Sequence, residues 1–194
     1  MHVTQPEVFV ELLCLLYGPK NGEPREATDQ GKFGADSAFT ILHACKRQPG
    51  SDEEGNFTED SVRAFVTKAR ELAKEKDRLE ACDSWLGQIM ARGEPGADEV
   101  FPSKPIRDVI EQTGSADMLD GFRTGCFNKR GVYSRGMLDG GEQERDLASE
   151  YRRNAKALEI THPMVASALY DLAKSYDRHG LMEDLDAKLR REGR

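Results

Sequence analysis

Apolar residues recur at the helical period along most of this 194-residue chain, and no segment shows sustained alternation of apolar and polar residues. The clearest stripe follows Thr58 and consists of Val62, Phe65, Val66, Ala69, Leu72 and Ala73. A 3.6-residue repeat buries one face of an α-helix, whereas a half-buried strand needs a repeat of two. The sequence therefore predicts an all-α protein, an irregular bundle of about seven to nine helices.

The first predicted helix covers residues 6–17 and is apolar on nearly all sides. Pro6 suits the first turn of a helix, and Gly18 begins the break that ends it. A helix without a polar face is expected to lie in the centre of the core. Residues 19–34 are rich in Gly, Pro and charge and predict a loop, after which Asp36 is expected to cap a short second helix.

The remaining stripes predict helices joined by mostly short connections, which favours one helical domain over residues 1–194. The longest rigid connector, GEPGADEVFPSKP, contains three prolines. A sub-boundary is therefore possible near 93–104. Towards the end of the chain, the segment from Thr161 to Leu189 is similar to one tetratricopeptide repeat. Such repeats need several copies and no second copy is found, so the sequence favours a single helical hairpin there.

The segment that follows Leu119 is unusually rich in glycine and in basic residues, and it predicts a long Gly/Arg-rich loop over residues 121–136. Basic side chains among glycines, with aromatic residues for stacking, can hold a phosphate or a nucleic-acid backbone. The candidate binding residues are Arg123, Lys129, Arg130, Tyr133 and Arg135. The alternative interpretation is a loop that packs back on the helices, with its arginines paired to surplus carboxylates.

The loop is followed by a strong helix-initiation signal at Asp139 and Glu142. An aspartate at the N-cap with a glutamate three residues later has the spacing of a capping box. Glu142 also places negative charge at the positive end of the helix dipole. The sequence therefore predicts that a helix is capped by Asp139.

Charge and composition limit the classes of partner. The formal net charge is −7 and the pI is about 5.2, which disfavours nucleic acid and anionic membranes as general partners. The longest apolar run is too short to span a bilayer, and no secretion signal is evident. The four cysteines are widely spaced and lack a CxxC pair, as expected for reduced thiols in a cytoplasmic protein.

The sequence shows no motif for a catalytic site, a metal site or a cofactor. None of the four histidines has the spacing of a metal site. Residues 50–61 faintly match an EF-hand loop, but Gly50 and Ser61 occupy ligand positions that need carboxylates, so calcium binding is not expected. Cys126 could act as a nucleophile only if a distant base reached it. A buried thiol is the expected role of Cys126.

The order of motifs resembles the C-terminal region of large, uncharacterised bacterial proteins. The residues that carry this likeness are PEVFVELLCLLY, ARELAKEKDRLEACDSWLGQIMA, FPSKPIRDVIE, GFRTGCFNKRGVYSRG and GGEQERDLASEYR. The resemblance implies a terminal module of a longer protein and brings no activity or cofactor. We therefore expect a non-catalytic module that contacts a protein partner, or the remainder of a longer chain, through its back half. The expected surface is the Gly/Arg-rich loop with the start of the helix at Gly141. The alternative is phosphate or nucleic-acid binding through residues 121–136.

Overall fold

The computed structural model describes residues 5–18, 29–130 and 140–192, and eight helices lie in these ranges. They are α1 (Pro6–Tyr17), α2 (Asp29–Ala44), α3 (Glu59–Glu75), α4 (Leu79–Met90), α5 (Lys104–Thr113), α6 (Ala116–Lys129), α7 (Glu142–Leu158) and α8 (Pro163–Arg191). No strand occurs in the described ranges, so the predicted all-α class is confirmed. None of the helices found there has both the length and the apolar composition needed to cross a membrane.

The chain separates into two compact units, residues 1–126 and residues 127–194. The division lies inside α6 rather than near 93–104. The first unit contains α1 to α5 with most of α6, and the second contains the last residues of α6 with α7 and α8. The single-domain organisation of the whole chain stays a prediction.

The best-predicted helix of the first unit is α3. The hydroxyl of Thr58 accepts a hydrogen bond from the Ser61 N–H at 3.2 Å, and the Ser61 hydroxyl accepts one from the Thr58 N–H at 2.9 Å. These reciprocal bonds satisfy amides that the helix itself leaves open. The buried residues of α3 are Val62, Phe65, Val66, Ala69 and Ala73. The predicted cap and most of the predicted apolar face are therefore confirmed.

Helices α1 and α2 depart from the prediction. α1 buries Phe9 and Leu13 but leaves Val8, Leu15 and Tyr17 between 41% and 52% exposed, so its predicted place at the centre of the core is wrong. α2 begins at residue 29, so the predicted loop over residues 19–34 is wrong from that point and Asp36 lies inside a helix. Residues 19–28 fall outside the described ranges.

The first half of the predicted Gly/Arg-rich loop is helical, because α6 extends to residue 129. Gly121 explains why. A Cβ atom on Gly121 would lie 2.0 Å from the carbonyl oxygen of Ser84 in α4, and Gly125 approaches α4 one turn later. Glycine disfavours an isolated helix by about 1 kcal/mol, but here it allows two helix backbones to touch. The loop prediction over 121–136 is therefore wrong for the residues in α6, and 131–139 lie outside the described ranges.

The end of the chain forms one long helix instead of the predicted hairpin. α8 runs through Gly180 without interruption, and it reaches residue 191. A Cβ atom on Gly180 would lie 3.2 Å from the carbonyl oxygen of Gly141, so the close approach of these two backbones favours glycine at this point of α8. The likeness to a tetratricopeptide repeat, which needs two helices, therefore does not hold for this segment.

Candidate interaction surface

The second unit is built on an antiparallel pair, α7 and α8, whose backbones touch at two glycines. Gly141 directly precedes α7, and Gly180 lies in the middle of α8. A Cβ atom on Gly141 would lie 2.2 Å from the carbonyl oxygen of Gly180, which is closer than side chains are found. This contact places the start of α7 next to Gly180 of α8.

The N-terminus of α7 is capped by a carboxylate from α8. Asp184 accepts a hydrogen bond from the Gly141 N–H at 2.8 Å and another from Nη1 of Arg145 at 2.6 Å. The hydrogen bond from the Gly141 N–H is the main reason that the pKa of Asp184 lies below its usual value. The helix begins at Glu142, so the predicted capping box with Asp139 is wrong, and Asp139 itself lies outside the described residues. A cap supplied from a distant helix cannot be read from local spacing.

An aromatic cluster forms the interior of the second unit around Tyr176, which is only 1% exposed. The rings of Phe127 and Tyr151 both stack on Tyr176, with centroid distances of 5.1 Å and 5.7 Å. Ala148 and Ala173 complete the cluster. Stacked aromatic pairs stabilise a fold beyond the burial of their area. This cluster therefore anchors the end of α6 to the two long helices.

Arg130, one of the predicted binding residues, is part of this interior. Its guanidinium lies 5.5 Å from the ring centroid of Tyr176, and Nη2 lies 2.6 Å from a carboxylate oxygen of Glu144. The side chain of Arg130 is 15% exposed and that of Glu144 is 1% exposed. A charge so deeply buried needs a partner. The geometry matches the alternative that the sequence left open, an arginine paired with a carboxylate.

The other predicted binding residues do not join Arg130 in a described site. Arg123 belongs to the first unit and pairs with Asp120 one turn earlier on the surface of α6. Lys129 lies in the last turn of α6. Tyr133 and Arg135 lie outside the described residues. The binding role of the five residues thus stays a prediction.

A row of exposed apolar side chains in the second unit lies on the second half of α8. It is the α8 stripe, defined by Leu181, Met182, Leu185 and Leu189, which are 66%, 61%, 57% and 45% exposed. Spacings of three and four residues place these side chains on one side of the helix. Met182, Leu185 and Leu189 recur at helical spacing in the sequence, and a periodic apolar stripe predicts a buried face. The structure corrects that expectation, because the stripe faces solvent.

The start of α7 lies level with the middle of the α8 stripe. α7 begins beside Asp184, as the hydrogen bond from Gly141 shows. The last turns of α8, including Leu185 and Leu189, therefore lie beyond the start of α7. A periodic stripe predicts which side of a helix is apolar, but it does not predict whether a neighbouring helix is long enough to cover it.

The structure describes Cys126 and the segment with faint EF-hand spacing. Cys126 is 1% exposed, which confirms the expected buried thiol. Among the residues that the structure describes, no group of three His, Cys, Asp or Glu side chains could hold a metal ion. Asp52, in the segment with faint EF-hand spacing, instead accepts hydrogen bonds from the N–H groups of Glu54 and Asn56.

No protein-family model, curated protein sequence or solved structure matches this chain. The resemblance to the C-terminal region of large bacterial proteins therefore stays a prediction. The functional argument depends on the geometry of the α8 stripe and its surroundings.

Proposed function

We propose that this chain is a non-catalytic helical module that binds another protein, or another part of a longer bacterial chain, through the α8 stripe. The observation that carries the proposal is the row of exposed apolar side chains on the last turns of α8. Scattered apolar residues are normal on a protein surface, but a contiguous apolar patch marks an interaction site. We also propose a cytoplasmic location, which the four free cysteines support.

The spacing of the α8 stripe favours a partner with an apolar groove. Met182, Leu185 and Leu189 lie at positions i, i+3 and i+7, the anchor pattern of a helix that docks into a groove. Burying one such side chain contributes about 1.5–3 kcal/mol when the burial is complete. Three anchors are therefore enough for an interface with a small apolar centre and a polar rim.

The charges beside the α8 stripe argue for a protein rather than an anionic membrane. Helices that lie on anionic membranes carry mainly lysine and arginine on their polar side. Here Glu183, Asp184 and Asp186 interrupt the stripe, with Lys188 and Arg190 further on. The net charge of −7 adds repulsion from an anionic surface.

The alternative function, phosphate or nucleic-acid binding through residues 121–136, has less support. Arg123 and Arg130 already face carboxylates in the structure. The two functions differ in their response to salt. Binding led by phosphate contacts weakens steeply as ionic strength rises, whereas docking of an apolar helix face changes little.

Site-specific crosslinking in the producing cell tests the proposed surface. A photoreactive residue at Leu185 should give a discrete adduct with one protein, and the same residue at Lys156, exposed on α7, should not. The recovered partner, once purified, should bind the wild-type chain in a salt-insensitive manner, and the Leu189→Asp variant should bind at least about tenfold more weakly. Adducts only with lipid or only with a second copy of this chain would contradict the proposal.

A further inference from the structure

A cleft of about 480 Å³ opens between α3 and α5 in the first unit. Val66 and Val109 contribute apolar surface to it, and Leu79 adds more from the start of α4. Arg70 and Lys74 bring positive charge to the same cleft. Its volume lies within the range of small-molecule sites, which combine apolar walls with a few polar groups.

Arg70 is held in place by a buried carboxylate. Its Nε atom lies 2.9 Å from Oδ1 of Asp83, whose side chain is only 3% exposed. The contact is an ion pair. Ser115 donates its hydroxyl hydrogen to the other oxygen of Asp83 at 2.7 Å. Asp83 is therefore fixed by Ser115 and in turn fixes one edge of the guanidinium.

The opposite edge of the Arg70 guanidinium remains available. The side chain is 32% exposed and lines the cleft. Its two Nη atoms make no hydrogen bond with any residue in the described part of the chain. Arginine matches carboxylate and phosphate groups through two parallel N–H donors. An arginine already held by its Nε edge loses little conformational freedom when it binds such a group.

Lys74 adds a second charge that the fold does not neutralise. It lies four residues after Arg70, on the same side of α3, where like charges repel by a few tenths of a kcal/mol. The Lys74 ammonium makes no ion pair with a residue in the described ranges. Arg63, further along the cleft, is by contrast engaged by Glu59 and Asp60. A chain with surplus carboxylates thus leaves Lys74 without a counter-charge, beside an arginine that keeps two Nη donors for a ligand.

We propose that the α3–α5 cleft binds a small organic anion. Arg70 and Lys74 hold its carboxylate or phosphate group, and Val66 and Val109 contact its apolar body. Glu71 also lines the cleft, and it limits the anion to one charged group at the Arg70 end. A nucleic-acid strand requires a longer basic track with aromatic platforms, which this cleft does not offer. The proposal is independent of the α8 stripe, which belongs to the second unit.

The experiment titrates the full chain, labelled with ¹⁵N, with phenyl phosphate and with phenylacetate. Benzyl alcohol, which has the same ring without a charge, serves as the neutral probe. Amide resonances of α3 and α5 near Arg70 and Val109 should shift in a saturable manner with at least one anion. The stronger of the two anions identifies the head group, phosphate or carboxylate.

Three variants test which residues hold the anion. Lys74→Gln and Arg70→Lys should each weaken binding about tenfold, because each loses charged hydrogen bonds. Lys68→Gln is the matched control, since Lys68 is exposed on α3 but does not line the cleft. It makes the same charge change as Lys74→Gln and should leave binding unaltered. Lys74 is exposed, so Lys74→Gln is expected to fold normally.

Three results would overturn the proposal. The first is no saturable shift with either anion at concentrations of tens of millimolar. The second is equal weakening by Lys68→Gln and Lys74→Gln, which would indicate an attraction to net charge alone. The third is equal affinity for benzyl alcohol, which would show an apolar cleft without an anion site.

Discussion

Each unit of this protein holds an arginine against a deeply buried carboxylate, and the two pairs differ in what surrounds the guanidinium. In the second unit Arg130 faces Glu144 under the ring of Tyr176 and is 15% exposed. In the first unit Arg70 faces Asp83 and lines an open cleft. The carboxylates are equally buried, so the difference lies in the access of solvent to the cation. A guanidinium that is enclosed by the protein stabilises the fold, whereas a partly exposed guanidinium keeps N–H donors that can bind a ligand.

We expect the largest loss of stability from a substitution in the Arg130–Glu144 pair. Arg130→Gln leaves the carboxylate of Glu144 buried without its cation, and we expect the free energy of unfolding to fall by about 3–5 kcal/mol. Arg70→Gln should cost about 1–2 kcal/mol, because water entering the cleft can solvate the group that loses its partner. Urea unfolding followed by circular dichroism measures both values.

A matched control for Arg130→Gln is available on the surface of the same unit. Arg152 pairs with Asp177, and both side chains are more than 40% exposed. Exposed ion pairs contribute little, so Arg152→Gln should cost less than about 1 kcal/mol. The double variant Arg130→Gln/Glu144→Gln should recover most of the lost stability. If Arg130→Gln lowered the free energy of unfolding no more than Arg152→Gln does, the proposed stabilising role of the enclosed Arg130–Glu144 pair would be wrong.

The next prediction concerns the pH dependence of stability. One carboxylate in each unit contributes to it, and the two contributions should have opposite signs. Burial raises the pKa of Asp83, and the Ser115 hydroxyl and Arg70 oppose this only in part, while Asp117 raises it further. A native pKa above the unfolded value means that the folded state binds the proton more tightly. The stability contributed by Asp83 is therefore highest below the unfolded pKa, about 3.9, and decreases as pH rises through the native pKa.

Asp83→Asn should remove this dependence. The free energy of unfolding of the wild type, relative to Asp83→Asn, should fall as pH rises from about 4 towards neutrality. Asp184 in the second unit provides the opposite control, since its pKa is lowered by the Gly141 N–H. Wild type relative to Asp184→Asn should lose stability as pH falls. Chemical denaturation at a series of pH values measures both stability differences. If the two differences changed with pH in the same direction, the opposite pKa shifts of Asp83 and Asp184 would be refuted.

The sequence predicted the helix ends that are determined by residues close to them in the chain. Pro6 and Gly18 mark the limits of α1, and Thr58 with Ser61 caps α3. The start of α7 could not be predicted, because its cap, Asp184, comes from another helix. Contacts between distant segments leave no signature in a single window of sequence.

The glycines show a second limit. A high density of glycine predicts a loop from backbone propensity alone. In α6, Gly121 instead marks a point where a helix touches Ser84 on its neighbour, and packing overrides propensity. The cleft residue Arg70 was missed for a related reason. In the sequence Arg70 is one of several alternating charges on α3, and only the fold places it beside Asp83.

The smallest expected effect on stability falls on the α8 stripe, and it distinguishes an interaction surface from a part of the fold. Leu185 is 57% exposed and lies beyond the start of α7, so Leu185→Asp should change the free energy of unfolding by no more than about 0.5 kcal/mol. Leu169→Asp, on the buried side of the same helix, should unfold the second unit, because an unpaired charge replaces a fully buried side chain. Thermal unfolding compares the two. If Leu185→Asp lowered the melting temperature as much as Leu169→Asp, the stripe would be part of the folded core of the second unit and could not serve as the surface for a partner.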